Sequence, residues 1–230
     1  MKISERIEQL ELLGGQENLR LLHLSDLHLW FSTRLLQQLS EIISRRDPEL
    51  ILMTGDYYDL PRGARNFRRF LLQITQKYPV VFIWGNHDHL YGPRITRLLS
   101  GIPNCSCVEE ALYRYKSPRG FTYNISSWRS RQLLPGNPGE VNVALLHKPS
   151  EIDENQLSNL QLLLAGHLHG GQFILKKTKE LANFPGSLFY RHCSDRKLLG
   201  NTHLIVSRGL GDTLPLRFNC PREVVLLQIN

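Results

Sequence analysis

The sequence predicts an α/β fold, and three patterns carry that prediction. They are short apolar runs of strand length, helix-spaced apolar residues between them, and a polar cluster closing each run. Leu19–Leu24 (LRLLHL) is the first such run, a buried strand ending at Ser25-Asp26. From Thr33 to Arg46, Leu35, Leu36, Leu39, Ile42 and Ile43 follow helical spacing; Ser32 is the N-cap candidate and Asp47-Pro48 the stop. Leu50–Met53 is the second strand, closed by Thr54-Gly55-Asp56. A basic helix follows over roughly Ala64 to Lys77, with Phe67, Phe70, Leu71 and Ile74 on one face and Arg65, Arg68 and Arg69 as a solvated one. Val80–Trp84 is the third strand, closed by Gly85-Asn86-His87-Asp88.

Beyond His89 the pattern loosens. Ile95–Leu99 reads as a short helix, Ala111–Tyr115 and Phe121–Ser126 as strands, and Leu134–Glu140 as a turn-rich loop. Val141–Leu146 is an apolar strand ending at His147. Leu160–Ala165 is another, ending at Gly166-His167-Leu168-His169-Gly170-Gly171. His203–Ser207 and Val224–Ile229 close the chain as strands. With no repeat, linker or low-complexity tract, one domain is expected over residues 1–230.

Composition sets the bounds. A 230-residue chain, 41% hydrophobic and 21% charged, is too apolar for a disordered protein. It buries about 70% of its unfolded surface, so it needs no disulfide or structural metal to hold a core. Its four cysteines (Cys105, Cys107, Cys193, Cys220) lack paired zinc-site spacing and read as reduced thiols. Lys and Arg exceed Asp and Glu by 28 to 21. That excess suits a phosphate-bearing small molecule, nucleic acid or an acidic membrane face, and equally a solvated surface. The N-terminus has no continuous apolar stretch of the signal-peptide kind, and no run approaches a membrane span, so a cytoplasmic protein is expected, with peripheral contact with an anionic inner-membrane face left open.

The strand endings carry the chemistry, because ligands collect outside the carboxyl ends of strands in open α/β sheets. Asp26 and His28, two residues apart, share one side of an extended segment, and His167 with His169 repeats the spacing. Asp56, Asn86 and His147 close three further strands. These oxygens and imidazoles exceed what one ion needs. Two ions about 3.5–4 Å apart, sharing a carboxylate, account for the excess. A lone D-x-H or G-D is usually incidental; the set, in order and each after an apolar run, is not.

The order SDLH (25–28), GD (55–56), GNHD (85–88), LLHKP (145–149) and GHLHGGQ (166–172) resembles the calcineurin-like metallophosphoesterase superfamily. It is most similar to bacterial members with a GHTHGGQ-type block and a terminal stretch like SRGLGDTLPLRFNCP (207–221). The resemblance implies a two-sheet β-sandwich flanked by helices, with a dinuclear metal site at the strand ends. One cation would be held by Asp26, His28, Asp56 and His169. The other would be held by Asp56, Asn86, His147 and His167, with Asp56 bridging. Mn²⁺ fits such a donor set best, with Fe or Zn²⁺ as alternatives. The resemblance also implies in-line attack on phosphorus by a water that the paired charges deprotonate. His87 would protonate the leaving oxygen, with Asp88 orienting it. Arg208 and Arg217 are candidate phosphate clamps.

The expected function is a metal-dependent phosphohydrolase cutting a phosphodiester or pyrophosphate bond. An envelope or lipid-linked nucleotide such as UDP-2,3-diacylglucosamine is a candidate substrate, with Leu29-Trp30-Phe31 available to an acyl chain. Two alternatives remain open: a nuclease or cyclic-nucleotide-type phosphodiesterase, and a silent scaffold on the same fold.

Overall fold

The computed structural model describes residues 3–30, 32–91, 97–178, 182–212 and 216–230. One sheet holds β1 (Ser4–Leu10), β2 (Leu19–Leu24), β3 (Leu50–Met53), β4 (Val80–Phe82), β5 (Cys105–Cys107) and β14 (Glu223–Ile229), in the order β1-β14-β2-β3-β4-β5. A second holds β6 (Tyr113–Lys116), β7 (Thr122–Ser127), β8 (Val141–Leu146), β9 (Leu162–Ala165), β12 (Arg196–Leu199) and β13 (Thr202–Val206), in the order β12-β13-β9-β8-β7-β6. β10 (Ile174–Lys177) and β11 (Asn183–Pro185) form a separate hairpin.

Each large sheet is parallel at its centre: β2 to β5 in the first, and β7, β8, β9 and β13 in the second. Parallel strands covered on both faces read as continuous apolar runs rather than alternating ones, which is why LRLLHL, LILM, VNVALL and LLLA were visible in the sequence. Leu21, Leu50, Leu52 and Val81 meet Val143, Leu145, Leu162 and Leu164 between the sheets. Leu22, Leu24, Ile51, Met53 and Phe82 pack instead on helices α1 (Arg34–Arg46) and α2 (Pro61–Ile74). The outer face of the second sheet, with Ala144, Leu146, Leu163 and Leu204, is covered by Trp128, Ile152 and Leu160 from short 3-10 turns and loops.

Helix α2 begins three residues earlier than its apolar spacing suggests. Pro61 occupies its first turn, where a missing N–H costs nothing. Its buried face is the expected one, Phe67, Phe70, Leu71 and Ile74, each contributing about 1.5–3 kcal/mol. Ser32 lies one residue before the cap of α1, and its hydroxyl accepts the Arg34 N–H at 3.2 Å. The short helix expected over Ile95–Leu99 begins outside the described residues, of which 97–99 are helical. β1, β5, β10, β11 and β12 were not expected. All four cysteines are free thiols. Among the described residues no helix is long and apolar enough to cross a membrane.

Candidate metal centre

The carboxyl ends of β2, β3, β4, β8 and β9 converge, and the loops leaving them are stitched by backbone bonds. Asp26 N–H donates to Gly55 O (2.9 Å) and His28 N–H to Asp56 O (3.1 Å). Glycines let the loops touch. A Cβ on Gly85 would lie 2.1 Å from Asp56 Oδ1, and one on Gly166 would lie 1.9 Å from Ser25 Oγ.

The segments carrying the polar side chains are not extended, contrary to the reading of D-x-H and H-x-H as strand-like. Asp26, His28, Asp56, His167 and His169 all have left-handed backbones, with φ between 43° and 69°. Asp and His tolerate this region better than most residues, at a cost of about 1–3 kcal/mol each. Turned this way, the side chains gather at the mouth of the cleft instead of alternating along a strand.

Two groups result. Asp26, His28 and His169 form the first, with His169 Nε2 3.8 Å from Asp26 Oδ1 and the two imidazoles stacked at 5.1 Å. Asp56, His147 and His167 form the second, and Asn86 joins them. His147 Nε2 lies 3.0 Å from Asn86 Oδ1, 3.2 Å from Asp56 Oδ2 and 3.2 Å from His167 Nδ1. Asp56 Oδ2 is also 3.8 Å from His28 Nε2, so this one carboxylate touches both groups.

These donors fit divalent cations. His28 Nδ1 donates to Asp59 Oδ1 at 2.9 Å, leaving Nε2 buried without a hydrogen-bond partner and aimed at the carboxylates. His147 Nδ1 donates to the Thr54 carbonyl at 2.7 Å, which directs the Nε2 lone pair at three further acceptors. An imidazole anchored through one nitrogen with the other lone pair facing carboxylates is how metal-ligating histidines are held. Without a cation, a proton has to reconcile these lone pairs. Burial opposes charge on His147, but the Asp56 carboxylate overrides it and raises the imidazole to about 9. Burial, with His147 beside it, depresses His167 to about 4. Asp56 is held at about 2 by His147 against the opposing effect of burial.

A buried chain of hydroxyls backs the first group. His23 Nε2 bonds Thr54 Oγ1 (2.8 Å), Thr54 donates to Ser25 Oγ (2.8 Å), and Ser25 donates to Asp26 Oδ2 (2.6 Å). Because the Thr54 proton goes to Ser25, His23 must donate from Nε2. Burial lowers His23 to about 3, so it stays neutral.

Sequence reasoning missed Asp59. Its Oδ1 takes His28 Nδ1 and lies 2.7 Å from His87 Nδ1, while its Oδ2 accepts Trp30 Nε1 at 2.5 Å. The D-Y-Y-D spacing after the G-D motif was the available signal. Asp88, expected to orient His87, does something else. It is buried beneath the loops, accepting the N–H groups of Asp56 (2.7 Å), Tyr57 (2.9 Å) and Gly85 (2.8 Å). The carboxylate nearest the His87 ring is that of Asp59.

Arg208, expected to line the pocket, is buried. Its Nε donates to Asp195 Oδ1 at 2.9 Å, and its Nη1 lies 3.6 Å from Glu223, so its guanidinium is committed to structure. Arg217 does reach the centre. Its Nη2 contacts His169 Nδ1 at 3.1 Å while its Nε donates to Asp212. Leu29 is core, Trp30 is exposed, and Phe31 lies outside the described residues. Beside Asn86 and His147 opens a small cavity of about 90 Å³, lined among others by Trp84, His89, Arg129 and Lys148.

A family profile described as calcineurin-like phosphoesterase matches residues 19–171, more than half of the chain. Metallophosphoesterase YkuE of Bacillus subtilis is 27% identical over 233 residues, covering 94% of this chain and 80% of that protein. Phosphodiesterase YaeI of Escherichia coli is 25% identical over 222 residues, covering 91% and 82%. Among solved structures, the calcineurin-like phosphoesterase YfkN of Bacillus subtilis superposes with a TM-score of 0.54 at 11% identity, covering 84% of this chain and 81% of that one. That likeness concerns the fold.

Proposed function

The chain belongs to the calcineurin-like phosphoesterase family and is a phosphoester hydrolase; from there we propose that it cleaves a phosphodiester or pyrophosphate bond at a dinuclear centre. The observation that carries this reading is the pair of side-chain groups meeting at Asp56, with buried imidazole lone pairs facing carboxylates in each.

Asp26, His28 and His169 would hold one divalent cation, Asn86, His147 and His167 the other, and Asp56 both. Mn²⁺ suits the oxygen and imidazole donors, as do Fe and Zn²⁺. When bound, the cations supply the charge that makes water a nucleophile at neutral pH and offsets charge on the phosphoryl oxygens. The protein's own groups do the rest. Thr54 O and Asp59 fix His147 and His28 in the tautomers that present Nε2. With its Nδ1 against Asp59, His87 keeps Nε2 to deliver a proton to the leaving oxygen. The cavity between Trp84 and Lys148 opens beside Asn86 and His147, on the side where the remainder of a diester would extend and a simple monoester would not reach.

A Mn²⁺-supplemented screen of a chromogenic phosphodiester, a phosphomonoester and UDP-2,3-diacylglucosamine tests this. The expected result is turnover of at least one of the diester and pyrophosphate substrates, at about tenfold or more the monoester rate, the factor that one extra favourable contact supplies. Preference for the monoester would overturn the assignment of bond type.

A further inference from the structure

Four fully buried polar side chains stand in a row behind the first ligand group: His23 on β2, Thr54 after β3, and Ser25 and Asp26 after β2. An imidazole is an unfavourable choice inside the apolar run LRLLHL. His23 Nδ1 is buried with no hydrogen-bond partner, where a leucine would leave no polar atom unpaired. The compensation lies at the other nitrogen.

The proton directions along the row are forced from one end. A carboxylate accepts and does not donate, so the Ser25 hydroxyl, 2.6 Å away, gives its one proton to Asp26 Oδ2. Thr54 must then donate to Ser25 at 2.8 Å, and His23 Nε2 must donate to Thr54 at 2.8 Å. The row has a single sense, from His23 to Asp26, and each bond polarises the next. Reversed, it would place the His23 proton on Nδ1, a buried donor with nothing to receive it.

The end of the row bears on the cation. The His167 N–H is shared between both Asp26 oxygens, at 3.1 Å from Oδ1 and 3.0 Å from Oδ2. The Ser25 proton goes to Oδ2 alone, and Oδ1 faces His169 Nε2 at 3.8 Å within the ligand group. Thr54 also reaches the second group, through a different atom: its carbonyl accepts His147 Nδ1 at 2.7 Å. The hydroxyl and the carbonyl of one residue thus each orient a candidate ligand of a different cation.

We propose that Thr54, Ser25 and His23 are positioning residues for the first cation, a one-way row that holds Asp26 by Oδ2 and keeps Oδ1 for the ion. The inference rests on the dinuclear reading and deepens it, since it gives the two ions separate supports on Thr54.

The test compares Thr54→Val, which removes the hydroxyl and keeps the carbonyl, with Thr54→Ser, which keeps both. Mn²⁺ is titrated calorimetrically into the chelator-stripped proteins. In Thr54→Val the affinity for one ion should fall about tenfold, the lower end of the range for losing a partner behind a metal ligand, while the other changes little. Ser25→Ala should weaken the same ion by about 10–100-fold, and Thr54→Ser should bind as the wild type does. Long-range proton–nitrogen spectra of the metal-free wild type should show His23 protonated at Nε2. Ser25→Ala and those spectra decide the matter should Thr54→Val not fold. The proposal is overturned if Thr54→Val weakens both ions alike or neither, if Thr54→Ser fails to restore binding, if Ser25→Ala binds both ions normally, or if His23 carries its proton on Nδ1. A wild type that takes up no Mn²⁺ would instead remove the dinuclear reading on which the proposal stands.

Discussion

A single unpaired atom, His28 Nε2, shows how the centre is prepared at the residue scale. It is buried with no hydrogen-bond partner, and its ring is fixed from the far side by Asp59, which also holds His87 and Trp30. Asp59→Asn keeps the shape but lets the amide offer these rings a donor. Turnover of the soluble diester should fall about 10–100-fold, the usual cost of losing a carboxylate behind a metal-ligating histidine, with weaker retention of Mn²⁺. Kinetics and metal analysis on the variant would check both. The candidate ligands were readable in the sequence because each closes an apolar run. Asp59 was not, since it closes no strand and acts only through residues distant in the chain. Asp88 was misassigned for the converse reason: it adjoins His87 in sequence, but its side chain turns inward to the loop backbone. His23 supplies a residue-scale test of stability. Burial holds it near 3 in the folded protein, against an ordinary value of about 6.5. Between those values the unfolded chain binds a proton that the folded one does not. Stability is therefore full above about 6.5 and declines as pH falls toward 3, by up to ~1.4 kcal/mol per pH unit. In His23→Gln, which keeps a donor toward Thr54, urea midpoints measured across that window should flatten by about that slope.

At the scale of elements, the strand-helix alternation through β2, α1, β3, α2 and β4 was legible because those strands are covered on both faces and their helices on one. The missed strands lack that signature. β1 runs SERIEQL, polar enough at an edge to leave Ile7 exposed, and its partner β14 lies more than two hundred residues away. β5 is three residues of C-S-C, and β12 leaves Lys197 and Leu198 exposed to solvent. The loops between elements matter as much as the elements. Their left-handed turns, hidden from a periodicity argument, bring His167 back toward Asp26, whose carboxylate accepts the His167 N–H at 3.0 Å. Gly166 makes that approach possible. Gly166→Ala would drive a Cβ into Ser25 Oγ and the Asp26 carboxylate. The expected cost is about 1–3 kcal/mol of stability in urea titration, with parallel loss of metal uptake.

Over the whole molecule, two six-stranded sheets face each other with their parallel centres directed to the same end, so the candidate ligands of both groups come from both sheets. β2, β3 and β4 supply Asp26, His28, Asp56 and Asn86, and β8 and β9 supply His147, His167 and His169. The sheets are also tied across their far edges. Arg6 on β1 donates to the Val206 carbonyl on β13 and pairs with Glu223 on β14, while Arg208 joins Glu223 to Asp195. This is why Arg208 stands near the centre without serving it: a buried charge with carboxylates on two sides holds the halves in register. The central claim is that the two sheets together build one dinuclear centre bridged by Asp56. The most direct test is the equilibrium binding of Mn²⁺ to chelator-stripped protein, counted by isothermal titration and elemental analysis, for wild type, Asp56→Asn and His87→Ala. The account predicts two ions in wild type and in His87→Ala, the latter inactive or nearly so, and fewer than one in Asp56→Asn. A wild type that takes up no second ion, or an Asp56→Asn variant that keeps both, would contradict it.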